Sequence, residues 1–151
     1  MRLFSSAFLE GETIPKKYSR DVENINPPLT WDDVPEGTKT FALVMEDPDV
    51  PPAAGVPIWD HWVIWNIPAM LREIPEVWEV VGMRGKGTRG ELAYGGPRPP
   101  DREHRYFFRL FAIDSALALV EGSTKSQLYK EMEGRVLAEA TLMGRFSPPA
   151  I

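Results

Sequence analysis

The chain has no cysteine, so disulfides, thiolate nucleophiles and cysteine-type zinc sites are excluded from the start. It has no concentrated positive charge either: the longest Lys/Arg block is the pair Lys16-Lys17, and the net charge is −5. A duplex-binding surface needs a basic stripe, so nucleic acid is not an expected partner. One phosphate group held in a local pocket remains compatible with this charge balance. No apolar run approaches the roughly 18–20 residues that span a bilayer. The first residues set Arg2, Glu10 and Glu12 around a short apolar stretch, unlike the apolar core of a signal peptide. A basic amphipathic helix and a lipidation motif are both missing. These absences predict a cytoplasmic protein without stable membrane insertion. Histidine is scarce as well, with only His61 and His104 to supply imidazole chemistry.

What is abundant is proline, at 15 residues, where an ordinary chain has a share of about 5%. Proline is kept out of helix interiors and central strands, so many of these residues must sit in ordered loops. Five tryptophans and seven phenylalanines argue against disorder. The length of 151 residues fits one domain, residues 1–151, able to bury a core. Short apolar pieces broken by Gly11 and Pro15 predict edge strands and turns up to Tyr18. Asn24–Pro35 (NINPPLTWDDVP) reads as an ordered loop that turns Leu29 and Trp31 inward.

Strong strands are predicted at Thr40–Asp47, Ile58–Ile67 and His104–Ile113, with a weaker one at Val77–Met83. Side chains alternate along a strand. Phe41, Leu43, Met45 and Asp47 therefore share a face, as do His104, Tyr106, Phe108 and Leu110. In Ile58–Ile67, the residues Trp59, His61, Val63 and Trp65 face one way, and Ile58, Asp60, Trp62 and Ile64 the other. Both sets are apolar enough to predict an interior strand between two layers. Arg84–Arg102 is a long loop (RGKGTRG, then YGGPRPPDR), and loops of that length inside a domain are usually functional. Thr124-x-x-Gln127 reads as a capping box before a helix carrying Leu128, Tyr129, Met132 and Val136, interrupted or ended by Gly134. A last strand is expected near Leu142–Phe146.

Both histidines open a strong strand, and Asp47 closes one. If the strands form an antiparallel meander, these residues converge with Tyr106 and two loops on one rim. Each suits an anion site: imidazole and phenol donate hydrogen bonds, and the Gly95-Gly96 backbone lets amides approach an oxyanion. Asp47 is the exception, placed either to orient His61 or to stay protonated and donate. Blander readings stand beside these: core histidines, Asx turns at Asp47-Pro48 and Asp49, and a core tyrosine. If the histidines supply the charge, affinity for a phosphate monoester rises as pH drops below about 6.5. Two alternatives use the same residues: a hydrolase with His61 and Asp47, and a metal site from Asp47, His61 and His104.

Three segments in order resemble the phosphatidylethanolamine-binding protein family, also called Raf kinase inhibitor-like proteins. NPPLTWDDVPEGTKTFALVMEDPDVP is similar to the family's Pro-Leu-x-Trp entry and its Asp-Pro-Asp-x-Pro motif, here Asp47 to Pro51. IWDHWVIWNIP resembles the second motif, with Trp59 and His61 in pocket positions. YGGPRPPDREHRYFFRLFAID resembles the third, with Gly96, Pro97, His104 and Tyr106 in pocket positions, and Arg98 as an added cation at the rim. The ending TKSQLYKEMEGRVLAEATLMGRF looks like the short bacterial and archaeal branch. The resemblance implies a mostly β fold, a central antiparallel sheet packed on a smaller sheet, with one or two peripheral helices near the C-terminus. It further implies a pocket for phosphate-bearing headgroups, small molecules or phospho-residues, and modulation of a kinase or protease by binding rather than catalysis. No cofactor is implied. Trp78 and Phe4, if exposed, would serve a homodimer.

Overall fold

The computed structural model describes residues 1–149. In chain order its strands are β1 (Arg2–Phe4), β2 (Leu29–Asp32), β3 (Thr40–Asp47), β4 (Trp59–Pro68), β5 (Glu73–Ile74), β6 (Met83–Arg84), β7 (His104–Ile113) and β8 (Val136–Phe146). One α-helix among the described residues, α1 (Lys125–Met132), precedes β8. All eight residues of β3 are buried, so this strand needs cover on both faces and neighbours on both sides. It lies at the centre of a five-stranded antiparallel sheet ordered β6-β4-β3-β7-β8, and a three-stranded sheet, β1-β2-β5, forms a second layer.

The two faces of the large sheet have different covers. Phe41, Leu43, Met45, Ile64, Phe108 and Leu110 pack toward Leu3, Leu29, Trp31 and Ile74 of the small sheet. Ala42, Val44, Val63, Trp65, Phe111 and Ile113 pack against Leu128 and Met132 of α1 and Leu117. The helix starts where the sequence predicts, because Thr124 Oγ1 accepts the Gln127 amide at 3.3 Å and Gln127 Oε1 accepts the Thr124 amide at 2.9 Å. It ends just before Gly134, which adopts the left-handed conformation (φ 75°) that favours glycine. No helix of the described residues is long and apolar enough to cross a membrane.

Three expectations are corrected. Asn24–Pro35 is not all loop: Leu29–Asp32 forms β2, pairing with both β1 and β5, because Leu29 and Trp31 are buried on one face of it. Val77–Met83 is not a strand. Val77 has a positive φ of 56° and the Trp78 amide donates to Asn26 Oδ1 at 2.8 Å, so only Met83–Arg84 pairs with β4. The sheet is also no simple meander, since β7 crosses to the far side of β3, with Thr40 opposite Ile113 and Glu46 opposite Phe107. The two-residue β6 gives β7 little to pair with, whereas the full length of β3 is available. Asp47 and His104 still reach the same end, because antiparallel pairing sets the end of β3 beside the start of β7.

Candidate functional site

Strand β3 ends in the sequence Glu46-Asp47, and alternation sends these two carboxylates to opposite faces. Asp47 is 2% exposed and turns toward the interlayer side. Its Oδ1 accepts the Asp49 amide at 2.7 Å, an Asx-type closure of the Asp-Pro-Asp turn. Its Oδ2 lies 2.6 Å from Nδ1 of the fully buried His104. The other ring nitrogen of His104 lies 2.7 Å from Asp101 Oδ1. Two carboxylates facing both nitrogens call for one proton more than a neutral ring supplies, so either the imidazole is cationic or one carboxyl is protonated. Burial raises the pKa of Asp47 against the pull of His104, while the His104 bond lowers that of the exposed Asp101.

His61 arrives by a different route than alternation predicts. Met45 pairs with Trp62 and Glu46 with Asp60, so His61 is the extra residue of a β-bulge. The bulge reverses the facing of this part of β4. Asp60 passes to the helix side, where its Oδ1 lies 2.6 Å from Lys125 Nζ. His61 turns to the interlayer side, edge-on to Tyr106 with ring centroids 5.3 Å apart. Its Nδ1 lies 2.8 Å from the Gly95 carbonyl and donates to it, which leaves Nε2 as a bare acceptor. Burial depresses the ring's pKa to about 4, so His61 is neutral at neutral pH. The Tyr106 hydroxyl is pushed well up by burial and by Asp47 and stays protonated.

These residues enclose a pocket of about 340 Å³. Asp47, Trp59, His61, Gly96, His104 and Tyr106 all line it, whereas Pro97 does not: it is buried behind the wall, where its carbonyl accepts the Arg20 amide at 3.1 Å. The long loop supplies much of the rim, including Arg89, Glu91 and Arg98. Two pairings expected from the sequence are absent. Asp47 holds His104 rather than His61, so the His61–Asp47 pair of a hydrolase is not formed. The Gly95 and Gly96 amides are already spent, on the His61 carbonyl at 3.0 Å and on Asn24 Oδ1 at 2.7 Å. Gly96 instead serves close packing, because a Cβ there would overlap the Tyr18 carbonyl. Among the described residues no group of three His, Asp or Glu side chains is arranged to hold a metal ion.

Sequence reasoning missed Arg20, Glu91, Asp101 and the Asp49–Arg105 fork. Asp49 accepts from Arg105 Nε at 2.9 Å and Nη2 at 2.8 Å, which lowers its pKa to about 2 and ties the DPDVPP turn to β7. The Asp-x-x-His spacing of Asp101 and His104 is a usable signal for that contact. Nothing local marks Arg20, which reaches the pocket from a loop far away in sequence.

The site is thus an end pocket of a two-layer antiparallel β architecture, set between a Pro-rich turn and a Gly-Pro loop. The chain matches the family model described as phosphatidylethanolamine-binding protein over residues 4–147, and it belongs to that family. It is 42% identical over 147 residues to the UPF0098 protein of Chlamydia trachomatis, covering 97% of this chain and 98% of the relative. It is likewise 42% identical over 152 residues to the UPF0098 protein of Methanothermobacter thermautotrophicus, covering 97% and 98%. Among solved structures, a phosphatidylethanolamine-binding protein homolog from Chlamydia trachomatis superposes with a TM-score of 0.95 at 41% identity, covering 98% of this chain and 97% of that one. YbcL of Escherichia coli, described as a member of the mammalian family, superposes with a TM-score of 0.89 at 26% identity, covering 98% of each chain.

Proposed function

We propose that the chain binds a phosphate-bearing small molecule or headgroup in this pocket and acts by binding rather than by turnover. The observation that carries the reading is a single hollow, about 340 Å³, in which Trp59 and Tyr106 provide apolar walls and a neutral hydroxyl beside the paired Asp47 and His104. Pockets of this size and mixed lining suit small ligands. The Asp47 carboxylate, which would repel an anion alone, is held by His104 at 2.6 Å. Both nitrogens of His104 already face carboxylates, and burial makes His61 a weak base with a pKa of about 4, which supports binding over hydrolysis. Modulation of a kinase or protease by such binding is the family-level extension of this reading.

Titration with phosphoethanolamine and with inorganic phosphate, followed by NMR, tests it. Saturable shifts at His61 and Tyr106 are expected with either probe, tighter with phosphoethanolamine if a headgroup is the ligand. No shifts at these residues with either probe would sink the reading. The depressed pKa of His61 also revises the expected pH dependence. Affinity for sulfate, which does not titrate in this range, climbs as pH falls until about 4, where the free ring takes its proton. Levelling off near 6.5 would show that the ring is not desolvated.

A further inference from the structure

At neutral pH the pocket's histidines offer no free donor: His61 presents a bare Nε2, and both nitrogens of His104 face carboxylates. The cation that does stand in the pocket wall is Arg20. Its side chain is 18% exposed, yet among the described residues only one of its five N–H donors, on Nη2, has a protein acceptor, Glu91 Oε1 at 2.6 Å. Its Nη1 lies against the open face of Gly95, where a Cβ would come within 3.0 Å. Arg20 is also close enough to His61 to disfavour a proton on that ring. Glu91 is shared with Arg89, whose Nε lies 3.1 Å from the same oxygen. Two guanidiniums against one carboxylate leave one positive charge at this side of the pocket. The other lining charges are matched: Asp47 by His104, Asp60 by Lys125 and Arg98 by Asp21.

We propose that Arg20 is the specificity-determining residue for the ligand's anionic group, and that Glu91 holds its guanidinium in place until the ligand's oxygens take over that contact. This rests on the reading of the pocket as an oxyanion site and assigns the atoms that receive the oxyanion. A guanidinium fork matches two oxygens of a phosphate or a carboxylate. Arg89 gives the displaced Glu91 somewhere to stay, so the exchange need not strand a carboxylate.

The test compares inorganic phosphate and acetate binding at neutral pH and low salt in the wild type and in three variants, with folding checked by NMR dispersion. Arg20→Gln should weaken phosphate binding by about tenfold or more, the loss of one charge-assisted contact. Glu91→Gln, a change at a half-exposed site, should strengthen it severalfold by removing the internal competitor. Arg2→Gln, at an exposed ion pair with Asp32 outside the pocket, should leave it within about twofold. A preference for acetate over phosphate in Glu91→Gln would mark a carboxylate ligand at the same residue. Unchanged binding in both Arg20→Gln and Glu91→Gln overturns the assignment while the pocket reading stands. If Arg20→Gln does not fold, an unchanged affinity in Glu91→Gln alone overturns it. Absence of binding in the wild type and in Glu91→Gln, with either probe, overturns the pocket reading and this assignment together.

Discussion

Glu46 and Asp47 are neighbours in β3, and Asp60 and His61 are neighbours in β4, yet each pair is divided between two regions of opposite design. On the helix side, Glu46 and Asp60 close on Lys125 Nζ, each at 2.6 Å, and Arg109 adds a second cation on Glu46. That cluster pins the first turn of α1 to the sheet, and of its members Asp60 reaches the pocket wall. On the interlayer side, Asp47 and His61 border the pocket, where His61 Nε2 and most of the Arg20 donors have no partner among the described residues. The same residue types on the same two strands therefore serve anchoring on one face and a receptive surface on the other. What separates them is one step of strand alternation in β3 and one extra residue in β4.

The largest expected effect is on the helix side. Lys125→Met leaves Asp60, 19% exposed, without its cation and Glu46 with Arg109 alone, and should cost about 3 kcal/mol in urea unfolding. A loss below about 1 kcal/mol would place the cluster with ordinary surface pairs.

The next effect belongs to the pocket side. The unfolded His61 takes its proton near 6.5 and the folded one near 4, so the unfolded state is favoured as pH falls between these values. The stability lost through this ring amounts to roughly 2–3 kcal/mol by pH 4. His61→Gln should flatten that part of the stability–pH curve, and an unchanged curve would refute the desolvated ring. The smallest effect is at the helix start: Thr124→Ala removes the capping box and should lower stability by about 1 kcal/mol, measurable as a shift in the denaturation midpoint. A loss of pocket binding in that variant would show that the two regions are coupled.

Much of this was legible beforehand, and the failures have specific causes. Alternation placed Asp47 with Met45 and Tyr106 with His104 correctly, because β3 and β7 pair without interruption at that end. It kept His61 with Trp59 correctly but put both on the face of Val63 and Trp65, because a bulge leaves no mark in a run as rich in apolar residues as IWDHWVIWNI. Leu29–Asp32 was hidden by the prolines and aspartates around it. Val77–Met83 has strand composition, but its Trp78 amide is taken by Asn26, a side chain about fifty residues upstream. The glycine amides were rightly placed near the pocket but wrongly credited with being free, since their acceptors, the His61 carbonyl and Asn24, come from other segments.

Local chemistry thus settled which residues want burial, where the helix starts, and that a Pro-rich turn and a Gly-Pro loop flank the histidines. Those are preferences of short segments, set by side-chain volume, polarity and backbone freedom within a few residues. The partner of each polar group was decided only when the sheets packed: His104 rather than His61 for Asp47, Lys125 for Asp60, Glu91 for Arg20. A hydrogen bond depends on which atoms come within about 3 Å, and that distance is a property of the assembled layers.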